Sequence, residues 1–485
     1  MVTPTPFARL LSAEVDSRTQ NTRYRQTQFH RLQSTLVDHI DEVKDAIQTD
    51  SGNSPEEVQA EICLALRELR AHYISLNLGK DLESEYRIAH GKDNFDAKRG
   101  VGVAYIVPCV HTMFFSVICA LSAAVAAGNC VIIELTKTAM AVPALLRKIL
   151  PQALDSDTFA VSEERPDVTF LNKVKMIVQD NNASGPMSER CLVSPTTART
   201  VAVVDRTADL VKAAKALVDA RFTFGGNSPY APDTVLVHEY SMKPFVEAII
   251  QCSSKTLAGE NGRARHSGSR RLNPKSSLLD TAQEDAGSRV LVSGSNWGVL
   301  KVDDRKSALL QGKIDGKLLV LHSITSLDDA IDFSNLSGTL AATYAFAVPA
   351  SAKYLTQYID AHVSWINHVP TEMLIGPAFP LDTVPCFETR YSVDLLQVPR
   401  PQILTETKHS TMVRELLNTP NTKKSSIFWQ DAIAALPSTK QRAGSTIGFF
   451  EQGIITGGII TITSFIVTVS TLGYYTFTHA KGLRG

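Results

Sequence analysis

Residues 102–134 read GVAYIVPCVHTMFFSVICALSAAVAAGNCVIIE, and this stretch decides the fold class. Gly102–Pro108 is a short apolar run with the length of a strand. Phe114–Ala127 is apolar on every side and rich in alanine, as a helix buried all round must be. Gly128-Asn129 ends it, and Cys130–Glu134 is a second apolar strand. Strands that are apolar throughout, joined by a helix, belong to a parallel sheet covered on both faces.

The same alternation extends outward. Upstream, Phe29, Leu32, Leu36, Ile40, Val43 and Ile47 recur at helical steps, so Tyr24–Asp50 is expected as one amphipathic helix. Ser54-Pro55-Glu56-Glu57 is a helix start, continued by Val58, Ile62, Leu66, Leu69 and Tyr73. Downstream, Val142–Leu154 reads as a helix and Val168–Leu171, Val174–Val178 and Thr200–Val204 as strands. Asp205–Phe222 is a helix running into the Gly225-Gly226 turn, followed by a strand (Thr234–His238) and a helix (Met242–Ile250). After Lys317 the rhythm resumes as strand, helix, strand and helix through His362. Gly376–Pro401 is Pro-rich with strand-like pieces, and 402–445 is a polar approach to the C-terminus. Gly259–Arg289 has no period and holds a basic cluster from Arg263 to Lys275. It reads as a solvated loop or as a contact for an anionic lipid surface.

The 485 residues suffice for two or three domains, and 44% hydrophobic with 20% charged residues is a globular composition. Lys+Arg and Asp+Glu balance at 49 each, which argues against a nucleic-acid partner. The cysteines at 63, 109, 119, 130, 191, 252 and 386 form neither C-x-x-C pairs nor clusters with histidine. Free thiols in a reducing compartment and no metal site are expected. No secretion signal is expected, because the first residues lack an apolar run. Gly453–Phe477, by contrast, carries no charged side chain. About 20 apolar residues span a bilayer. Tyr474, Tyr475 and Phe477 suit an interfacial belt, and Lys481 and Arg484 follow. A single-pass C-terminal anchor with the globular part cytosolic is one reading; a buried core segment is the other.

Several segments in order resemble the aldehyde dehydrogenase superfamily, especially its class 3 or fatty aldehyde dehydrogenase branch. They are Gly102–Asn129, Val204–Val237, Lys317–Phe333 and the closing Gly376-Pro-Ala-Phe-Pro loop. The last, with TRYSVDLLQVPRPQ after it, is also similar to a divergent fungal subgroup associated with natural-product pathways. The resemblance covers roughly residues 25–430. It implies an α/β fold with a Rossmann-like cofactor domain over 1–204 (arm hairpin near 85–100) and a catalytic-type domain over 205–388. An oligomerisation arm and linker would occupy 389–445, and the anchor 453–477. NAD or NADP as cofactor, a homodimer and an apolar aldehyde as substrate are implied likewise.

Residue by residue, the resemblance implies a vacant site. Residues 222–238, FTFGGNSPYAPDTVLVH, match the family's F-x-N-x-G-Q-x-C-x-A-P-D-x-V-L, and the nucleophilic cysteine falls on Pro229, beside Ser228. Proline has no nucleophilic atom. The oxyanion asparagine falls on His111, and the base glutamate near Pro195 in Pro195-Thr196-Thr197-Ala198-Arg199. The lysine and glutamate that hold the adenine ribose appear as Glu134 and Lys137. The glycine turn under the pyrophosphate becomes Val178–Asn182, and the E-x-F motif falls near Lys313-Ile314-Asp315. Cys109, two residues from His111, is either a relocated thiol or plain packing. Ser228 attacks only with a base to activate it. Lys137 is a cofactor contact or a solvated surface lysine. Two functions remain: oxidation of an apolar aldehyde at a membrane, or a non-catalytic scaffold or carrier for pathway partners or a hydrophobic intermediate.

Overall fold

The computed structural model describes residues 7–180, 191–263, 287–294, 297–336, 338–418, 423–440 and 447–482. They divide into two compact units, one running to Thr405 and one starting at Glu406. In the first unit a five-stranded sheet comprises β2 (Val103–Val107), β3 (Cys130–Glu134), β4 (Phe159–Ser162), β5 (Lys175–Val178) and β6 (Cys191–Val193). Its order is β4-β3-β2-β5-β6, parallel throughout. The helix Met113–Ala126 crosses from β2 to β3, buried along nearly its whole length.

The second sheet has seven strands: β7 (Thr200–Val204), β8 (Thr234–His238), β9 (Ser288–Ser293), β10 (Trp297–Val302), β11 (Lys317–Ile324), β12 (Ala342–Phe346) and β13 (Ser364–Ile366). Its order is β13-β12-β7-β8-β11-β10-β9, with only β9 antiparallel. β7, β8 and β12 are buried at every position, the mark of central parallel strands covered on both faces. The chain changes sheet between Val193 and Thr200, upstream of the expected boundary at 204.

Several expectations are corrected. Tyr24–Asp50 is two helices, Thr22–Asp38 and Ile40–Ser51, broken at His39 so that each buries its own stripe. Val168–Leu171 is a single helical turn, because the Asp167 side chain accepts the Phe170 amide and caps it. Near 85–100, β1 (Lys98–Gly100) pairs antiparallel with the distant β14 (Gln397–Pro399) rather than within a local hairpin. Within 402–445 lie the helices Lys408–Asn418 and Lys423–Ile433. The side chains of the basic cluster from Arg263 to Lys275 lie outside the described residues. The second unit ends in the helix Phe449–Gly482; Glu451–Tyr474 has a mean hydropathy of 1.8 and no buried residue.

Candidate functional site

The site forms where the helix Leu210–Phe222 delivers the chain into a tight turn. Phe224, Gly225 and Gly226 all take positive φ. A Cβ on Gly226 would lie 2.3 Å from the Gly316 carbonyl, so glycine is required there. The opposing wall is the helix Pro55–Ser75, whose start is a reciprocal capping box of Ser54 and Glu57. Glu57 also accepts the Phe224 amide at 2.7 Å, fixing the turn against that helix.

Pro229 follows this turn, and its carbonyl is held from two sides. Thr200 Oγ1 donates to it at 2.9 Å and Lys313 Nζ at 2.6 Å. Lys313 also donates to Asp233 Oδ2 at 3.0 Å. The fully buried Asp233 further accepts the amides of Thr200 (2.7 Å) and Ile314 (3.0 Å) and lies 3.5 Å from the buried Arg221 guanidinium. Burial lowers the Lys313 ammonium pKa, and Asp233 opposes that shift. Lys313, expected only as part of a degenerate motif, is therefore the clamp on the Pro229 loop. Ser228 is buried, and its Oγ accepts the Tyr230 amide at 3.2 Å; no base appears among its described partners.

Cys109 and His111 do not form a dyad. The Cys109 thiol donates to the His111 carbonyl at 3.2 Å and lies 3.1 Å from Ser116 Oγ. Burial pushes it up to about 12, the opposite of what a nucleophile requires. The His111 ring points elsewhere: Nε2 lies 2.9 Å from the Leu374 carbonyl, which can only accept, so Nε2 carries the proton. Burial lowers the ring to about 4, leaving it neutral. Its N–H is spent on that carbonyl rather than offered to an oxyanion. Pro195 is buried between β6 and β7, with no carboxylate from Ser194 to Arg199.

Two residues missed in the sequence complete the site. Arg390 donates to the carbonyls of Ile375 and Pro377 and lies 4.9 Å over the Phe379 ring and 5.8 Å over Tyr230. It pins the closing loop, aided by the Gly376 amide donating to Thr112 Oγ1 at 2.7 Å. Glu61 accepts the Phe115 amide at 3.2 Å, at the start of the Met113–Ala126 helix; burial pushes its carboxyl up to about 7. Glu61, His111, Met113, Phe224, Asn227 and Asp315 line a cavity of about 430 Å³.

In α/β sheets a dinucleotide sits beyond the carboxyl ends of the strands where their order reverses. Here that is the β2–β5 edge, with a cavity of about 210 Å³ lined by Pro108, Glu134, Met140, Arg165 and Asp180 among others. Glu134 is bound bidentately by Arg165, both contacts at 2.9 Å, and accepts the Tyr105 hydroxyl at 2.8 Å. Lys137 pairs instead with Glu163 at 2.6 Å, so Glu134 and Lys137 are not partners. Gln179 spans to the Cys109 amide and the Ser116 carbonyl, at 3.3 and 2.9 Å. A pyrophosphate needs donors or positive charge. The charged groups among its described lining are two carboxylates and one guanidinium already tied to a carboxylate, beside the hydroxyl residues Thr136 and Thr138. Asn181 and Asn182, at the expected pyrophosphate turn, lie outside the described residues. The described charges disfavour a pyrophosphate.

The Aldehyde dehydrogenase family model matches residues 12–167. Among relatives, "Aldehyde dehydrogenase family 3 member B1" of Rattus norvegicus is 26% identical over 361 residues, covering 68% of this chain and 75% of that protein. "Aldehyde dehydrogenase family 3 member A2" of Mus musculus is 25% identical over 373 residues, covering 71% and 75%. The fold matches the substrate-bound state of Staphylococcus aureus AldH with a TM-score of 0.65 at 19% identity, covering 83% of this chain and 94% of that one. It also matches the NADP complex of glyceraldehyde-3-phosphate dehydrogenase GapN from Methanocaldococcus jannaschii, with a TM-score of 0.60 at 13% identity over 82% and 93%. Residues 12–167 thus match the aldehyde dehydrogenase family model, family 3 relatives are similar over about two thirds of the chain, and the fold is that of the aldehyde dehydrogenases.

Proposed function

We propose that this protein keeps the aldehyde dehydrogenase fold without the family's oxidation chemistry, and acts at a membrane as a non-catalytic scaffold or carrier for pathway partners or a hydrophobic intermediate. The family reaction is NAD(P)-dependent oxidation of an aldehyde. It requires a thiolate on the carbonyl carbon, donors for the resulting oxyanion, and a base for hydrolysis. The observation that carries the reading is Pro229: the nucleophile position of the resemblance holds no nucleophilic atom, and its carbonyl is clamped by Thr200 and Lys313. The Cys109 thiol is buried and pushed up to about 12, and the His111 N–H is already engaged. The cavity of about 430 Å³ supports the carrier reading, since Met113 and Phe224 give it apolar wall and its size suits a small apolar ligand.

The apolar helix Glu451–Tyr474 supports attachment to a bilayer as a single-pass C-terminal anchor, with the globular part in the cytosol. The antiparallel pair of β1 and β14 is our candidate for the arm of a homodimer. A role in a fungal natural-product pathway stays within the same proposal, resting on the Gly376–Pro380 loop and the segment after it. The test is turnover: full-length protein in detergent, given hexanal with NAD or NADP, forms no reduced cofactor above the protein-free rate. Saturable, aldehyde-dependent formation of reduced cofactor overturns the proposal.

A further inference from the structure

We infer that the helices Lys408–Asn418 and Lys423–Ile433 form an interfacial platform that lies against the lipid headgroups of the bilayer. This rests on the anchor reading and goes beyond it, because it assigns a second membrane contact outside the apolar helix.

The first observation is an apolar surface without cover in its own unit. On the second helix Trp429 and Ile433 are one turn apart and 64% and 63% exposed, and Leu436, just past the helix end, is 94% exposed. On the first, Val413 and Leu417 are likewise one turn apart, and Leu417 is 76% exposed. Apolar residues scattered singly over a surface need no explanation, but pairs at four-residue spacing on neighbouring short helices make a face.

The second observation is charge. Lys408, Arg414, Lys423, Lys424 and Lys440 outnumber Glu406, Glu415 and Asp431 in the same segment. An anionic leaflet attracts such a segment, while tryptophan partitions to the boundary between headgroups and acyl chains. Lysines beside an exposed tryptophan and isoleucines are the composition of a helix that lies in the interface rather than crossing it.

The third observation chooses the occupant. Leu436 and Glu451, where the apolar helix begins, belong to one unit and are about 15 residues apart, a reach of at most ~50 Å at ~3.5 Å per residue. Once the apolar helix is in the bilayer, the platform is held at a high effective concentration near the lipid surface. A weak interfacial affinity then suffices.

The full-length protein is reconstituted in phosphatidylcholine–phosphatidylserine vesicles, with the phosphatidylcholine brominated near the top of its acyl chains. Flotation is measured first and tryptophan quenching second. We expect a bromolipid-quenched component that is lost in Trp429→Phe, a variant that floats like the wild type. Trp297 and Trp365 belong to the other unit and are common to both proteins. Ile433→Glu is expected to lose the same component while still floating. If wild type and Trp429→Phe float and are quenched alike, the platform is refuted and the anchor stands. If Trp429 is shielded from both bromolipid and aqueous iodide, another protein surface covers this face, and the inference is overturned. If the wild type does not float, the anchor reading falls and the platform with it.

Discussion

Replacing Lys313 by methionine tests the clamp on the Pro229 loop. The substitution preserves most of the aliphatic stem and removes the ammonium that bridges the Pro229 carbonyl and Asp233. The Asp233 carboxylate is then left fully buried with two backbone amides and the Arg221 contact at 3.5 Å. Removing one partner of a buried ion pair costs about 3–5 kcal/mol. The Lys313 side chain is 16% exposed and Asp233 retains its other donors, so the expected loss is lower, about 2–3 kcal/mol. Denaturant unfolding followed by circular dichroism reads it as a lower midpoint of the first cooperative transition. Asp233→Asn alone is also destabilising, and the double variant loses less than the sum of the two by about 1–2 kcal/mol, because the two residues share one contact. A Lys313→Met midpoint equal to the wild type, or strictly additive losses, refutes the reasoning.

Four further expectations follow from the same geometry. The Glu61 carboxyl rises from 4.5 to about 7 on folding, so its stabilising contribution is complete below pH 4.5 and is lost as the pH rises through 7. Stability measured across that range should therefore shift in favour of Glu61→Gln, relative to wild type, by about 3 kcal/mol at 1.36 kcal/mol per pH unit; a parallel pH profile would reject this. Arg390→Met strips two carbonyls of their donor and removes the cation facing Glu68, so a loss of about 3–5 kcal/mol is expected. Faster amide exchange at Phe379 should accompany it, and unchanged exchange would remove Arg390 as the pin. Gly226→Ala must relieve a 2.3 Å approach to the Gly316 carbonyl at positive φ, with an expected loss of at least about 1–2 kcal/mol in thermal or denaturant unfolding. Pro229→Cys should supply a thiol but no aldehyde-dependent reduced cofactor, because the position of the family's base holds no carboxylate from Ser194 to Arg199 and the His111 N–H is bound to the Leu374 carbonyl; robust turnover would contradict that.

The framework was legible because it is local. Cys130–Glu134, Thr200–Val204, Thr234–His238 and Lys317–Ile324 are strands in the structure at the bounds their apolar runs suggest, and Ser54–Glu57 forms the expected capping box. Local signals erred where one side chain overrode the pattern, as Asp167 did in converting a β-branched run into a helical turn. Long-range pairing was invisible: nothing near Lys98 announces Gln397–Pro399 as its partner. The sequence named the residues expected at the site, Pro229 and His111 among them. Their contacts were not legible, because the Lys313–Pro229 contact and the Arg390 pin join residues far apart in the chain. Cys109 and His111 show the limit most clearly. Two residues apart, they looked like a possible pair, yet the thiol meets the histidine's carbonyl while the ring turns to Leu374.

The central claim is that the fold has outlived its chemistry, and cofactor binding tests it most directly. Titration calorimetry of NAD and of NADP into the full-length protein in detergent should show no saturable heat in the micromolar range, since Glu134, Asp180 and the Arg165-bound crevice disfavour a pyrophosphate. Micromolar binding of either dinucleotide would contradict the account.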